Sequence, residues 1–114
     1  MHELSITQSL LDIVLEKAQA VQATKITRID LVIGELSGII DECVSSCFEF
    51  VSQGTIAAGA TLCFSRPATE LRCRQCGTTF SPSPDGDWQC PACGELRTDI
   101  ISGRECFVSS MEVD

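Results

Sequence analysis

Apolar residues in the first part of the chain recur at the spacing of an α-helix. Over residues 5–22 the steps between them are three, four and seven, which places them on one helical face. Ser5 and Gln8 have the spacing of a capping box, so we expect the helix to begin near Ser5. The pattern predicts an amphipathic helix whose apolar face is formed by Leu4, Leu11, Val14, Leu15, Ala18 and Val21.

Alternation of apolar and polar residues, which is typical of a half-buried strand, occurs in three later stretches. In the first stretch Ile29, Leu31 and Ile33 fall on one face of the predicted strand. A second helical pattern, over residues 39–53, separates this stretch from the next. The three predicted strands cover residues 26–36, 60–66 and 105–113.

The order of these elements predicts an α+β fold. A small three-stranded mixed sheet would be covered by two helices, because a helix between neighbouring strands is the usual parallel crossover. A cysteine-bearing stretch interrupts the pattern before the last strand. We therefore expect an α+β domain formed by residues 1–70 and 98–114, and a smaller inserted module formed by residues 71–97.

The insert contains two Cys-x-x-Cys pairs, Cys73 with Cys76 and Cys90 with Cys93, separated by thirteen residues. In each pair one tight turn can direct both thiolates at a single ion. The glycine that follows each pair tolerates a positive φ and leaves backbone N–H groups free to reach the sulfurs. Four thiolates make a closed tetrahedral shell, so the spacing predicts a structural Zn(II) site in a zinc-ribbon-like module.

Ligand spacing alone does not separate zinc from iron, because rubredoxin-like iron sites use similar turns. The Ser, Pro and Asp residues of the tip, 81–87, favour a zinc ribbon over an aromatic-rich redox protein. A closed four-sulfur shell has no open coordination position, so its metal would be structural and not catalytic. We expect the remaining cysteines to be free thiols: Cys43, Cys47, Cys63 and Cys106.

Charge and the N-terminal sequence limit the partners and the compartment. Sixteen acidic against eight basic residues give a formal net charge of −8, which argues against nucleic acid or an anionic membrane as the main partner. The apolar run at residues 10–15 is interrupted by Asp12 and has no basic segment before it, unlike a signal peptide. We therefore expect a cytoplasmic protein whose eight cysteines are reduced or bound to metal.

The single histidine stands at position 2. Histidine-dependent catalysis would have to use the extreme N-terminus, so we expect no enzyme activity. The Met1 amine, the His2 backbone nitrogen and the His2 imidazole could close two chelate rings, and Glu3 adds an amide nitrogen or a carboxylate. Nitrogen-rich sets suit Ni(II) and Cu(II). Taken alone, the same residues also fit a solvent-exposed tail.

Besides the two cysteine pairs, the chain contains four further motifs: Met1-His2-Glu3-Leu4-Ser5, Ile33-Gly34-Glu35-Leu36-Ser37, Phe48-Glu49 and Ser110-Met111-Glu112-Val113. Taken together, these motifs resemble the HypA/HybF family of hydrogenase nickel-incorporation proteins. The resemblance implies a nickel-binding α+β domain and a structural zinc domain, with the nickel site at Met1, His2 and Glu3. It places the zinc site at Cys73, Cys76, Cys90 and Cys93.

The resemblance also implies a function as a nickel metallochaperone. Ni(II) would be bound transiently and delivered to the large subunit of [NiFe]-hydrogenase, with a HypB-type GTPase as partner and, in some organisms, urease maturation proteins as further partners. The stretch 38–41 departs from the family pattern by one residue, so no role near nickel is carried over to Asp41. Two alternatives remain open from the residues: a zinc-ribbon interaction module without nickel, and a rubredoxin-like electron carrier.

Overall fold

The structure is a computed structural model that describes residues 2–83 and 86–114. The chain forms two compact units, one comprising Met1–Val32, Gly38–Ser65 and Cys106–Asp114, and the other Ile33–Ser37 and Arg66–Glu105. We call them unit 1 and unit 2. The helices are α1 (His2–Ala20) and α2 (Asp41–Val51), and a short 3-10 helix covers Glu35–Ser37. The strands are β1 (Ile26–Ile33), β2 (Thr61–Ser65), β3 (Glu70–Cys73), β4 (Thr79–Phe80), β5 (Thr98–Ser102) and β6 (Cys106–Val113).

The sheet of unit 1 has the strand order β2-β1-β6. β1 and β2 are parallel, with Ile29 opposite Leu62, and α2 lies between them in sequence. β6 runs antiparallel to β1, because the N–H of Thr24 donates to the Asp114 carbonyl while the Ser109 hydroxyl donates to the Asp30 carbonyl. The predicted three-stranded mixed sheet with two helices is therefore confirmed.

The core of unit 1 lies between the helices and the sheet. Apolar side chains from α1, from α2 and from β1 are nearly inaccessible to water, and in β1 burial alternates from Ile29 onward as the sequence spacing predicts. Burial of each Leu, Ile or Val side chain among them contributes roughly 1.5–3 kcal/mol to folding. The most deeply buried of them are Leu11, Val14, Ala18, Ile26, Ile29, Leu31 and Val44.

The start of α1 differs from the sequence prediction. The helix begins at His2, so Ser5 is a helical residue and not its cap. The predicted capping box is wrong, because the Gln8 side chain donates to Asp12 Oδ1 at 2.9 Å, one turn further along the helix. Thr7 is buried, and its hydroxyl donates to the Glu3 carbonyl. The buried hydroxyl thus has a hydrogen-bond partner within the helix.

Unit 2 contains a second sheet, which the sequence patterns did not predict. It has the order β4-β3-β5 and is antiparallel throughout. Leu71 at its centre is fully buried, opposite Phe80 of β4 and Ile100 of β5. Residues 98–102 thus pair within unit 2, while the predicted boundaries 1–70 with 98–114, and 71–97, stay a prediction about independently folding domains.

The segment after β1 belongs to unit 2, which explains why β1 is shorter than predicted. The N–H groups of Gly34 and Leu36 donate to the carbonyls of Glu105 and Gly103, and the N–H of Glu35 donates to the Pro67 carbonyl. The chain then turns in the 3-10 helix. These hydrogen bonds hold both ends of the segment 66–105 next to residues 34–36.

Among the described residues, no helix combines the length and the apolar character that crossing a membrane requires.

Candidate metal centre

The first cysteine pair lies on a turn at the end of β3. The N–H groups of Gln75 and Cys76 point at Cys73 Sγ, at 3.3 and 3.4 Å. The turn closes through the N–H of Gly77, which donates to the Cys73 carbonyl at 3.1 Å. Gly77 has φ +76°, a conformation that glycine adopts without steric cost. The local backbone therefore presents Cys73 Sγ surrounded by N–H donors, which suits a thiolate.

The second cysteine pair repeats this geometry. The N–H of Gly94 donates to the Cys90 carbonyl at 2.9 Å, and Gly94 has φ +79°. The N–H of Cys90 donates to the Glu95 carbonyl at 3.0 Å, as the N–H of Cys73 does to the Thr78 carbonyl at 2.9 Å. Two equivalent turns are thus built by the same spacing of cysteine and glycine, as the sequence predicts.

The two turns bring all four sulfurs together. Every pair of the Cys73, Cys76, Cys90 and Cys93 sulfurs lies within 4.8 Å. The Sγ atoms of Cys73 and Cys93 are 3.4 Å apart, and those of Cys76 and Cys90 are 3.7 Å apart. A tetrahedral zinc ion with Zn–S bonds of about 2.3 Å separates its sulfurs by about 3.8 Å. The four-cysteine group therefore fits structural zinc.

Within the described part of the chain, no other group of three or more His, Cys, Asp or Glu side chains has such spacing. Cys73 and Cys90 are 2% exposed, whereas Cys76 and Cys93 are exposed. The group is thus anchored in unit 2 on one side and open to solvent on the other. A closed four-sulfur shell leaves no position for a substrate, so its contribution is to folding.

Without an ion, the four thiols share their protons unevenly. Hydrogen bonds from the Thr78 hydroxyl and N–H lower the pKa of Cys76 to about 6. The N–H of Cys76 and that of Gln75 also lower the pKa of Cys73. The N–H of Glu95 acts in the same direction on Cys93, but the neighbouring sulfurs and burial outweigh it and raise the pKa of Cys93 to about 12. A cation is what allows all four to be thiolates together.

Two residues that support the sulfurs were not identified from the sequence. Thr78 Oγ1 lies 3.1 Å from Cys76 Sγ, and its hydroxyl donates to the sulfur once that is a thiolate. Glu95 occupies the equivalent position after Cys93, and its carboxylate accepts from Arg97 at 2.9 Å. That contact, with the N–H groups of Arg97 and Leu96, lowers the pKa of Glu95 to about 2. The sequence offered one signal for them: Thr78 and Glu95 each stand two residues after the second cysteine of a pair.

The predicted nickel residues are only partly covered by the structure. Met1 lies outside the described residues, and His2 is described as the first residue of α1 without its side chain. Glu3 is half-buried in the first turn of the helix. The nickel site therefore stays a prediction.

The other four cysteines lie in unit 1 and none of them belongs to the four-sulfur group. Cys43 is exposed and Cys47 half-buried on α2, four residues apart. Cys63 lies in β2 and Cys106 in β6, and burial raises the pKa of the Cys106 thiol. All four are free cysteines in the structure, with no disulfide among them.

A family model and individual relatives of known name both point to the same family. Residues 1–113 match the family described as "Hydrogenase/urease nickel incorporation, metallochaperone, hypA". The chain is 48% identical over 114 residues to a protein named hydrogenase maturation factor HypA from Dehalococcoides mccartyi strain CBDB1, covering all of this chain and 95% of that protein. It is 41% identical over 114 residues to the HypA of Chlorobaculum tepidum, with both chains fully covered.

Solved structures agree with the sequence relatives. A solution structure of the Ni metallochaperone HypA from Helicobacter pylori has 30% identity and a TM-score of 0.71, over 97% of this chain and 96% of that one. Another solution structure of a HypA protein has 31% identity and a TM-score of 0.78, over 99% and 96%. The resemblance seen in the sequence is confirmed, and the zinc-module and rubredoxin-like alternatives are not favoured. The chain belongs to the HypA family of hydrogenase/urease nickel-incorporation metallochaperones.

Proposed function

We propose that the chain binds Ni(II) at its N-terminus through Met1, His2 and Glu3, and passes the ion to the large subunit of [NiFe]-hydrogenase. The observation that carries the proposal is the position of the sole histidine, at the first residue of α1 in a chain of this family. Structural zinc is held by the four cysteines of unit 2. The protein acts as a carrier and not as an enzyme.

Ligand chemistry supports a separation of the two metals. Four thiolates suit zinc, whereas an amine, a backbone amide and an imidazole form a nitrogen-rich set that suits Ni(II). The Met1 amine, the His2 amide nitrogen and the His2 imidazole form adjoining chelate rings, so their binding is mutually reinforcing. No other imidazole in the sequence can compete with His2. Zinc and nickel would therefore occupy different parts of the same small chain.

Two factors affect the affinity of the site for nickel: the position of His2 at the start of a helix, and the protons that the ligands must release. The N-terminus of a helix carries a partial positive charge, which disfavours a bound cation and favours an anionic ligand. A deprotonated amide and the carboxylate of Glu3 would offset that charge. Nickel binding must displace protons from the amine, the imidazole and any participating amide, so the affinity for nickel rises with pH.

Delivery follows from the placement of the ligands at one end of the chain. Ligands at a terminus can be exchanged one at a time with those of an acceptor, so the ion is never released to water. The net charge of −8 favours partners that present basic faces. We infer a HypB-type GTPase as the partner in nickel transfer, with urease maturation proteins as further partners in organisms that have urease, and a cytoplasmic location for all of them.

Nickel titration of the zinc-loaded protein with a native terminus tests the proposal. His2→Ala should abolish measurable nickel binding in calorimetry while leaving one zinc per chain by elemental analysis. Gln8→Ala, further along the same helix, is the matched control and should bind nickel normally. A peptide tag before Met1 should weaken binding, whereas the same tag after Asp114 should not. Unchanged nickel affinity in His2→Ala would overturn the assignment of the site.

Transfer is tested separately from binding. In a strain that lacks its own copy of this protein, the wild-type chain should restore nickel incorporation into the hydrogenase large subunit, and His2→Ala should not. If His2→Ala lost nickel binding but still supported maturation, the nickel site would stand and its role in delivery would be wrong.

A further inference from the structure

We propose that unit 2 contains a docking pocket for an arginine side chain of a partner protein, formed by Glu35, Leu36 and Trp88. These three residues line a surface cleft with a volume of about 420 Å³, which is in the usual range of ligand pockets. All three belong to unit 2, and none of them is a proposed ligand of zinc or nickel. The cleft is larger than one side chain, so it can admit an arginine together with a neighbouring residue of the partner.

The walls of the cleft are largely apolar. Trp88 and Leu36 are each 37% exposed, although apolar side chains of this size are more often buried. Pro82 and Ala68 add further apolar surface to the same lining. An arginine suits such walls, because its methylene stem packs on apolar side chains and its flat guanidinium stacks on an aromatic face.

The charge of the cleft selects a cation. Among the described residues that line it, Glu35 is the only charged one, and there is no Lys or Arg. Glu35 takes no part in the ion pair of Arg74 with Asp99 or in that of Arg97 with Glu95. A carboxylate and an indole face both attract a cation, the first by its charge and the second by its ring quadrupole. The net charge of −8 draws a basic segment of a partner toward the protein.

Arginine fits this combination better than lysine does. The guanidinium can stack on the indole of Trp88 and still donate two parallel hydrogen bonds to the carboxylate of Glu35, because its donors lie in the plane of the group. The ammonium of lysine is a compact, strongly hydrated charge that does not stack.

Hydrogen bonds hold both sides of the cleft in place before anything binds. The N–H of Glu35 donates to the Pro67 carbonyl at 3.0 Å. On the other side, the N–H of Asp87 donates to the Ser83 hydroxyl at 3.1 Å, and the N–H of Gln89 donates to Asp87 Oδ1 at 2.9 Å. The backbone on both sides of Trp88 is thus fixed. A preformed pocket loses little conformational entropy when it binds a side chain.

The fluorescence of Trp88 tests the proposal, because the chain has no other tryptophan and no tyrosine. The probes are two blocked tripeptides, acetyl-Leu-Arg-Leu-amide and the same peptide with citrulline, which has the shape of arginine without its charge. Added to the zinc-loaded full chain, the arginine peptide should shift the emission saturably at millimolar concentration. It should bind about tenfold more tightly than the citrulline peptide, and added salt should reduce that preference.

A pair of variants that remove the same charge locates the site. Glu35→Gln keeps the shape of the side chain and should abolish the preference for arginine over citrulline. Glu70→Gln is the matched control, since Glu70 is an exposed acid on β3 of the same unit and is not part of the lining, so this variant should keep the preference.

Three results would overturn the proposal. The first is an emission that neither peptide changes, and the second is equal affinity of the two peptides for the wild type. The third is an equal loss of the preference in Glu35→Gln and Glu70→Gln, which would assign the attraction to the overall acidic charge of the protein and not to the cleft.

Discussion

Gly34 packs directly against the backbone of Gly103. A Cβ atom built on Gly34 would lie 2.2 Å from both the carbonyl carbon and the carbonyl oxygen of Gly103, and 2.6 Å from Glu105 Oε1. The same close approach allows the N–H of Leu36 to reach the Gly103 carbonyl at 2.6 Å and the N–H of Gly34 to reach the Glu105 carbonyl at 2.7 Å. Position 34 therefore requires glycine because there is no space for a side chain, and not because of an unusual backbone angle.

Gly34→Ala should destabilise the protein by about 1–3 kcal/mol, because the added methyl must push one backbone away from another. Gly38→Ala is the informative comparison. Gly38 has φ +76° but open space around it, so its substitution costs only the strain of a left-handed residue, about 1–2 kcal/mol. Asn, which tolerates that conformation, should rescue position 38 and fail at position 34. Urea unfolding measures the stability of the variants at both positions. A Gly34→Asn variant as stable as the wild type would contradict the packing argument.

Replacing any one of the four clustered cysteines by Ala should lose zinc. A three-sulfur set leaves the ion open to water and to competing thiols, so bound zinc should fall from one per chain to near zero in elemental analysis. Unit 2 should lose its ordered amide signals in NMR spectra, since metal binding there is folding energy. The helices of unit 1 have their own core and should persist in circular dichroism. The residues are Cys73, Cys76, Cys90 and Cys93.

The remaining thiols provide the control for the zinc prediction. Replacing Cys43, Cys47, Cys63 and Cys106 together by Ser should leave one zinc per chain, because none of them belongs to the four-sulfur group. Zinc loss from this quadruple variant would mean that the group defined by distance is not the binding site.

The Asp30 carboxylate links β1 to β6 and should make unit 1 sensitive to acid. Its Oδ2 accepts from the Ser110 hydroxyl at 2.6 Å and its Oδ1 accepts from Arg28 at 2.9 Å. These bonds, first that of Ser110 and then that of Arg28, lower the pKa of Asp30. The resulting stabilisation is complete above the unfolded pKa of about 4 and is lost as the pH falls through the lowered native value.

Ser110→Ala should therefore raise the pKa of Asp30 toward its ordinary value, as followed by carboxyl carbon shifts in an NMR titration. Ser109→Ala is the matched control, because the Ser109 hydroxyl donates to the Asp30 backbone carbonyl and not to its carboxylate. If the pKa of Asp30 rose equally in both variants, the effect would come from the pairing of β1 with β6 and not from the Ser110 hydroxyl.

Leu11 should be among the most sensitive positions of unit 1. It is 2% exposed, whereas Ile13 on the same helix is 42% exposed. Leu11→Ala removes buried methyl groups and leaves a cavity, at a cost of about 2–5 kcal/mol. Ile13→Ala should cost less than about 1 kcal/mol. The two midpoints of urea unfolding, measured with zinc bound, give the comparison directly.

Periodicity predicted unit 1 well because its elements are long and each has one buried face. The stripe that includes Leu11 and Val14 and the alternation of Ile29 and Leu31 are buried as expected. The four-cysteine group was predictable for a different reason: each turn is local, and its geometry follows from two cysteines and one glycine. Errors at the start of α1 arose because Ser5 and Gln8 match a capping pattern by spacing alone.

The sheet of unit 2 could not be predicted from the same signals. β4 has two residues and β3 has four, which is too short to show a period. β5 has no fully buried residue, so its sequence carries no strong contrast between two faces. Thr78 was missed because a hydroxyl near a cysteine becomes meaningful only when its distance to the sulfur is known.

The hydrogen bonds of Gly34 and Glu35 have a consequence for the order in which the chain folds. Asp30 and Ser110, which join β1 to β6, are separated by 80 residues in sequence. Closing a flexible loop of that length costs roughly 4 kcal/mol of chain entropy. Once unit 2 has formed, the Gly34–Glu105 bond already holds the residue after β1 beside the residue before β6. β6 can then join β1 stepwise from that point, as in a hairpin, so zinc, by folding unit 2, should also speed the formation of the unit 1 sheet.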